Sequence, residues 1–256
     1  MITVIIPTLN SEATLTKCLA ALIPAAVDGI VTQVVIADGG SKDATRKIAD
    51  SAGTDIVVTE PGRGQQIRAG IAEARAPWLL VLHSDTYLAH GWIDEVANFI
   101  EAVDIGRHRL SAAAFQFALD DMGVRPRLLE QMVHLRCSLA KLPYGDQGLL
   151  IPKRLHDKLG GFKPLPLLED LDMVRRLGRN QIKMLNAKAL TDPTRYSNEG
   201  YLRRIMRNQI CLAMYMAGQP VEKIAAYYNK PQSSIQDCDP VQSVADQKPI
   251  SDINPS

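Results

Sequence analysis

The chain has 256 residues, 46% of them hydrophobic, enough for one large α/β core or one core with a small annex. Its 29 Lys and Arg stand against 28 Asp and Glu, a formal charge of +1 that gives no electrostatic reason to expect nucleic acid as the partner. No apolar run approaches the ~20 residues of a membrane span. Met1 leads straight into Ile2–Ile6 without a basic leader, so the expectation is a cytoplasmic protein with at most peripheral contact at the inner face of a membrane.

The first half alternates β-rich runs with helical patterns, the mark of βαβ units and a mostly parallel sheet. Strands are expected at Thr3–Ile6, Gln33–Ala37, Asp55–Thr59 and Trp78–Leu82. Between them Leu15, Leu19 and Leu22 keep helical spacing after an Asn10 or Ser11 cap, Ser41 opens a helix over Lys42–Ala52, and Gly64–Ala74 forms a third. A further helix is expected from Trp92 to Ala102. The second half predicts a strand at Ala112–Leu119, a helix at Pro126–Leu139, a short strand at Gly148–Ile151 and a helix at Lys153–Leu159 closed by Gly160-Gly161. A helix over Asp170–Leu177 follows, its buried face marked by Leu168, Leu171, Val174 and Leu177 at spacing three. After a strand at Ile182–Leu190 come a helical pair, Leu202–Ala217 and Val221–Tyr228, and a polar tail, 231–256, expected to be disordered.

The four cysteines, Cys18, Cys137, Cys211 and Cys238, lack C-x-x-C spacing and read as reduced packing residues. In an open parallel sheet, ligands bind beyond the carboxyl ends of the strands. Strand one ends in Pro7-Thr8-Leu9-Asn10, strand two in Asp38-Gly39-Gly40-Ser41 and strand four in His83-Ser84-Asp85-Thr86. A carboxylate at such an end accepts from a ribose or base, and one further along holds a divalent cation. Each has a bland alternative: Asp38 and Ser41 as an Asx turn and cap, Asp85 as a turn cap, His83 as a core histidine. A dinucleotide-binding dehydrogenase would need G-x-G-x-x-G after strand one, where this chain has Pro7–Glu12 with no glycine. The G-x-x-x-x-G-K-[ST] phosphate loop is also missing.

These residues, with Val4–Asn10, Ala37–Asp43, Gly62-Arg63-Gly64, Leu82–Thr86, Pro143–Gly148 and Leu168–Asp172 in order, resemble the family 2 glycosyltransferases, inverting enzymes of the GT-A fold. They look most like the bacterial subgroup with leucine-His-Ala-Asp-Thr and leucine-Pro-Tyr-Gly-Asp-Gln-Gly motifs. The resemblance implies a Rossmann-like, mostly parallel sheet flanked by helices, with C-terminal helices, in one domain over 1–230. Residues 1–104 would bind the nucleotide and 105–230 the acceptor. It implies a donor site at Pro7, Thr8, Asn10, Asp38, Gly39, Arg63, Ser84 and Asp85, and a nucleotide-diphosphate sugar, UDP favoured. Asp85 matches the last position of the family's D-x-D motif, which holds Mn²⁺ or Mg²⁺. His83 occupies the first, where imidazole suits Mn²⁺ better. Asp170 would be the general base, with Glu169 orienting it or the acceptor, and Tyr144, Gly145, Asp146 and Gln147 would border the acceptor.

Two further places stay open between function and packing. Arg68 stands where the family usually has asparagine and would either add charge for the diphosphate or pair with Glu73. The basic run Arg195–Arg207 would either serve a diphosphate or an anionic membrane carrying a lipid-linked acceptor, or form an ordinary solvated face. A small-molecule acceptor is equally compatible with the sequence. An inactive nucleotide-sugar-binding protein and a nucleotidyltransferase are the alternative functions, although the glycine-rich loop of the latter is missing.

Overall fold

The computed structural model describes residues 1–121, 123–140, 143 and 145–228. Tyr144, Cys238 and the 231–256 tail lie outside the described residues. Eight strands form one sheet: β1 (Ile2–Thr8), β2 (Val31–Asp38), β3 (Asp55–Val58), β4 (Trp78–Val81), β5 (Thr86–Leu88), β6 (Ala112–Leu119), β7 (Leu149–Pro152) and β8 (Ile182–Thr191). Their order is β3-β2-β1-β4-β7-β6-β8-β5. The first four are parallel, β7 runs antiparallel to both β4 and β6, and β5 pairs antiparallel with β8. One sheet therefore runs through both halves of the chain.

The β1 residues are buried along their whole length, because successive side chains enter opposite cores. Val4 and Ile6 pack with Leu15 and Leu19 of α1 (Glu12–Ala20) and with Trp92, Val96, Phe99 and Val103 of α5 (Trp92–Asp104). The four α5 residues recur every three or four positions and make one apolar stripe. Ile5 faces the other way, into a core shared with Ile67 and Ile71 of α4 (Arg63–Ala72), Leu155 of α7 (Lys153–Lys158) and Met173, Val174 and Leu177 of α8 (Glu169–Leu177). The result is a three-layer α/β/α sandwich of the GT-A type.

Three short elements escape the sequence reading: α2 (Ile23–Val27), β5 and α9 (Thr194–Glu199). Each spans two turns or fewer, or three strand residues, too little for periodicity to register. α3 (Thr45–Ser51) starts three residues later than expected, at an Ala44 N-cap, because Ser41 is used elsewhere. Ser11 does precede α1 but makes no side-chain cap bond. The second half adds α6 (Val124–Ala140), α10 (Tyr201–Met216) and α11 (Val221–Tyr228). Gly160 and Gly161 end α7 with φ of 78° and 72°, the conformation expected of them. Among the described residues no helix is long and apolar enough to cross a membrane.

With β2 on one side of β1 and β4 on the other, the switch in strand order lies at β1 and β4. Strand β5 belongs to the far edge of the sheet. The chain leaving β4 therefore makes the His83-Ser84-Asp85 connection across the carboxyl side of the sheet, and the backbone of Asp192, just after β8, donates to Asp85 O at 2.8 Å.

Candidate active site

Beyond β1 and β2 the loops are locked by side chains. Asp38 is fully buried, and both its oxygens are used: Oδ1 accepts from Thr8 Oγ1 (3.0 Å) and Ser41 Oγ (2.5 Å), and Oδ2 from the backbone of Gly40 (3.1 Å) and Ser41 (2.9 Å). This is the Asx turn. The Asp38 carboxylate thus shapes the loop that ends β2. Pro7 and Thr8 are also buried. Asn10, at φ 50°, is exposed and accepts from Lys42 N at 2.9 Å, tying the two loops together. The sequence reading missed Gln66, 4% exposed, whose Nε2 donates to Thr8 O (2.7 Å) and Ala37 O (2.9 Å) and lies against Gly39. A glutamine on an α4 face gives no sign of this in sequence.

The β4–β5 turn carries three half-buried side chains, His83, Ser84 and Asp85. Thr86 N donates to His83 O at 3.1 Å, and Ser84 Oγ lies 2.9 Å from Ser11 Oγ. His83 and Asp85 line a cavity of about 120 Å³ together with Arg63, Asp146, Asp170 and Asp192. Residues from five separate segments thus converge at one edge of the sheet. Arg68 is exposed on α4 and is not among those lining the cavity.

The Glu169-Asp170 pair starts α8 behind a strained residue, Leu168 at φ 63°. The two carboxylates diverge. Asp170 is half-buried, lines the cavity and accepts from Leu171 N at 2.7 Å. Glu169 is fully buried, and Arg63 Nε lies 3.6 Å from its Oε1, an ion pair too long for a normal hydrogen bond. Burial pushes the Glu169 carboxyl up to about 7, Arg63 opposing the shift and Asp170 adding to it. For Arg63 burial disfavours the charge, but Glu169, Asp170, Tyr228 and Asp85 together raise its pKa above the arginine range. A void of about 10 Å³ beside Glu169 and Asp170 has room for about one water. Glu169, expected to orient Asp170 or the acceptor, is buried beside Asp170 and holds Arg63. Asp172 binds Arg176 (2.6 Å) and Lys163 (2.8 Å) and so serves the packing of α8.

On the expected acceptor side, Asp146 reaches the cavity but Gln147 does not. Gln147 is 1% exposed and donates to Phe115 O at 2.9 Å. The solvated basic face read into Arg195–Arg207 also needs correction: Arg203 is exposed, but Arg204 and Arg207 are each only 8% exposed. Cys18, Cys137 and Cys211 are buried and form no disulfide among the described residues, as their spacing suggested.

Among the described residues no three His, Cys, Asp or Glu side chains converge into a metal cage. A divalent cation held by one or two protein groups and completed by a substrate diphosphate needs no such cage. Asp85 and His83, adjacent on one turn and both in the cavity, supply a donor set that fits this mode.

A three-layer protein with its cavity at the switch point of a mostly parallel sheet belongs to the open-sheet α/β proteins. Within that class, residues 3–133 match the model for glycosyl transferase family 2, and the chain belongs to that family. The chain is 30% identical over 98 residues to glucosyl-3-phosphoglycerate synthase of Mycobacterium tuberculosis, 35% of this chain and 30% of that one. An uncharacterized glycosyltransferase of the same organism is 34% identical over 112 residues, 42% of this chain and 49% of the relative. The matches thus span less than half the length of these curated relatives. Among solved structures, the M. tuberculosis synthase with Mn²⁺, UDP and glucosyl-3-phosphoglycerate superposes with a TM-score of 0.58 at 22% identity, covering 86% of this chain and 81% of that one. TarS 1-349 of S. aureus with UDP-GlcNAc gives 0.55 at 18%, covering 75% and 58%. Likeness at these identities establishes the shared fold.

Proposed function

We propose that the protein transfers a sugar, with inversion, from a UDP-linked donor to an acceptor hydroxyl. The observation that carries this reading is the convergence of Arg63, His83, Asp85 and Asp170 on one cavity at the carboxyl edge of the sheet. Family membership supports it, as does the solved M. tuberculosis synthase of the same fold, which binds UDP and Mn²⁺. The nucleotide lies along the loops after β1 and β2, whose backbone is held by Asp38 and Gln66. Asp85, with His83, would hold a divalent cation, Mn²⁺ or Mg²⁺, the imidazole favouring Mn²⁺. The chemistry that a bound cation supplies is neutralisation of charge on the departing diphosphate. Arg63 adds a fixed positive charge at the same place.

Asp170 takes the proton of the acceptor hydroxyl as its oxygen bonds to the anomeric carbon. The bond from that carbon to the diphosphate breaks on the opposite face, and its electron pair leaves with the nucleotide. General-base help of this kind contributes ~10²–10⁴-fold.

A thermal-shift panel of UDP-, GDP- and dTDP-sugars with Mn²⁺ or Mg²⁺ tests the donor. Ligand at ~100 times its dissociation constant adds ~2.7 kcal/mol, so a UDP-sugar with cation should raise the midpoint clearly. Asp170→Asn should keep that shift and lose transfer by the factor above. Full turnover in the variant would remove Asp170 as base. Wild-type binding without sugar release would favour the inactive binding protein, and release of pyrophosphate from a nucleoside triphosphate would favour the nucleotidyltransferase.

A further inference from the structure

On the α10 side of the cavity two arginines share one carboxylate. Arg204 Nη1 donates to Glu199 Oε1 at 2.9 Å, and Arg207 pairs with Glu199 Oε2. One half-buried carboxylate therefore serves two guanidinium groups, each about nine-tenths buried. Both stack on one ring, with Tyr228 centroid distances of 5.5 Å for Arg204 and 5.0 Å for Arg207. Arg204 also lies 5.8 Å from the Tyr196 ring and donates to Tyr228 OH at 2.7 Å. The Nε of each arginine is buried with no acceptor among the described residues. Ring faces soften the cost of such burial but do not cancel a whole charge, and an uncompensated buried cation is costly.

Arg204 differs from Arg207 in lining the cavity, where Asn208 and Tyr228 accompany it. Its bed is α9, α10 and α11, all from the second half of the chain. Arg63, which neighbours Asp85 and the nucleotide loops, comes from the first half and is already suited to a diphosphate. A rigid, planar, aromatic-backed guanidinium is a recognition element for phosphate or carboxylate.

From this we infer that Arg204, flanked by Asn208 and Tyr228, is a subsite for an anionic group of the acceptor, a phosphate or a carboxylate. The acceptor is then an acidic molecule whose hydroxyl reaches Asp170 while its anion rests on Arg204. The inference rests on the glycosyl-transfer reading, and its test is separable from that reading.

The experiment is calorimetric titration of the full chain with inorganic phosphate and, separately, malonate, each with and without saturating UDP and Mg²⁺. The two anions distinguish phosphate from carboxylate. The expected result is anion binding that persists with UDP bound and weakens at least about tenfold in Arg204→Met, as loss of a charge-assisted hydrogen bond implies. UDP affinity should stay within about twofold of wild type. Anion binding that disappears when UDP saturates the protein would assign Arg204 to the donor diphosphate and overturn the inference. So would an unchanged affinity in Arg204→Met, or a wild type that binds neither anion. If circular dichroism shows Arg204→Met unfolded, Arg204→Lys, which keeps charge but loses the planar fork, and the wild-type competition decide the matter. Failure of UDP itself to bind would strike the donor reading, and the titration without UDP would still report on the anion site.

Discussion

Gly64 offers a sharp test of how Asp170, the proposed base, is placed. It sits in the first turn of α4, and its N–H donates to Leu165 O at 3.0 Å. A Cβ there would lie 2.3 Å from Lys163 O, 2.6 Å from Leu165 N and 2.7 Å from Leu165 O. All three are backbone atoms, so no side chain can rotate away, and ordinary contact requires a displacement of about 1 Å. Overpacking of this kind costs about 1–3 kcal/mol, against which alanine recovers about 1 kcal/mol of helix propensity. The three simultaneous contacts put Gly64→Ala near the top of that range, about 2 kcal/mol net, or roughly 4–8 °C in a chain of this size. The displaced segment runs directly into Leu168, Glu169 and Asp170, and a misplacement of about 1 Å at a reacting group costs about 10²-fold in rate. Differential scanning calorimetry and a UDP-release assay read the two effects on the same preparation. A variant with the wild-type midpoint and wild-type turnover would refute the idea that α4 positions the carboxylate through this contact.

Glu169 titrates in a window where stability can be followed. Its folded pKa of about 7 lies above the ordinary 4.5, so the folded state keeps a proton that the unfolded chain releases between those values. The associated stability is full below pH 4.5 and is lost as pH rises through about 7, by at most about 3 kcal/mol. Glu169→Gln should flatten urea-denaturation free energies across that window, and an identical pH slope in both proteins would contradict the assignment. Asp85→Asn should weaken cation-dependent UDP binding at least about tenfold, with the midpoint of the free protein little changed. Equal cation dependence in variant and wild type would move the cation away from the β4–β5 turn.

The strands and the edge that bears the site were legible because they depend on local pattern. Apolar runs buried on both faces read as strands, and the loops after β1, β2 and β4 stand out as polar interruptions of those runs. The partners of each side chain were not legible. Asp38 and Ser41 could be a ligand and a cap, or each other's partners, and only the closing of the β1 and β2 loops decides between them. Glu169 and Asp170 are neighbours in sequence with opposite fates. A helix turns about 100° per residue, so one carboxylate enters the core against Arg63 while the next faces the cavity. The Glu199–Arg204–Arg207 cluster was hidden for another reason. Gly200 breaks the helix between α9 and α10, so the spacing of five and eight residues matches no helical pairing rule.

The charges around the cleft make the two halves of the site complementary. Asp85, Asp146, Asp170 and Asp192 line the cavity against Arg63 and Arg204, so its wall is acidic on balance. Arg63 is partly occupied by Glu169, which leaves it weaker as a lone anchor for a diphosphate than its position suggests. Under the proposed function, a nucleotide diphosphate entering such a site would meet net repulsion unless a divalent cation arrived with it, so donor affinity would depend on Asp85 and the cation more than on the arginine. Arg204 faces a different balance, because its only carboxylate partner among the described residues is shared with Arg207. If the proposed roles hold, a cation on Asp85 would meet the donor's charge and Arg204 the acceptor's, so that each substrate's charge is met without drawing on the group that holds the other.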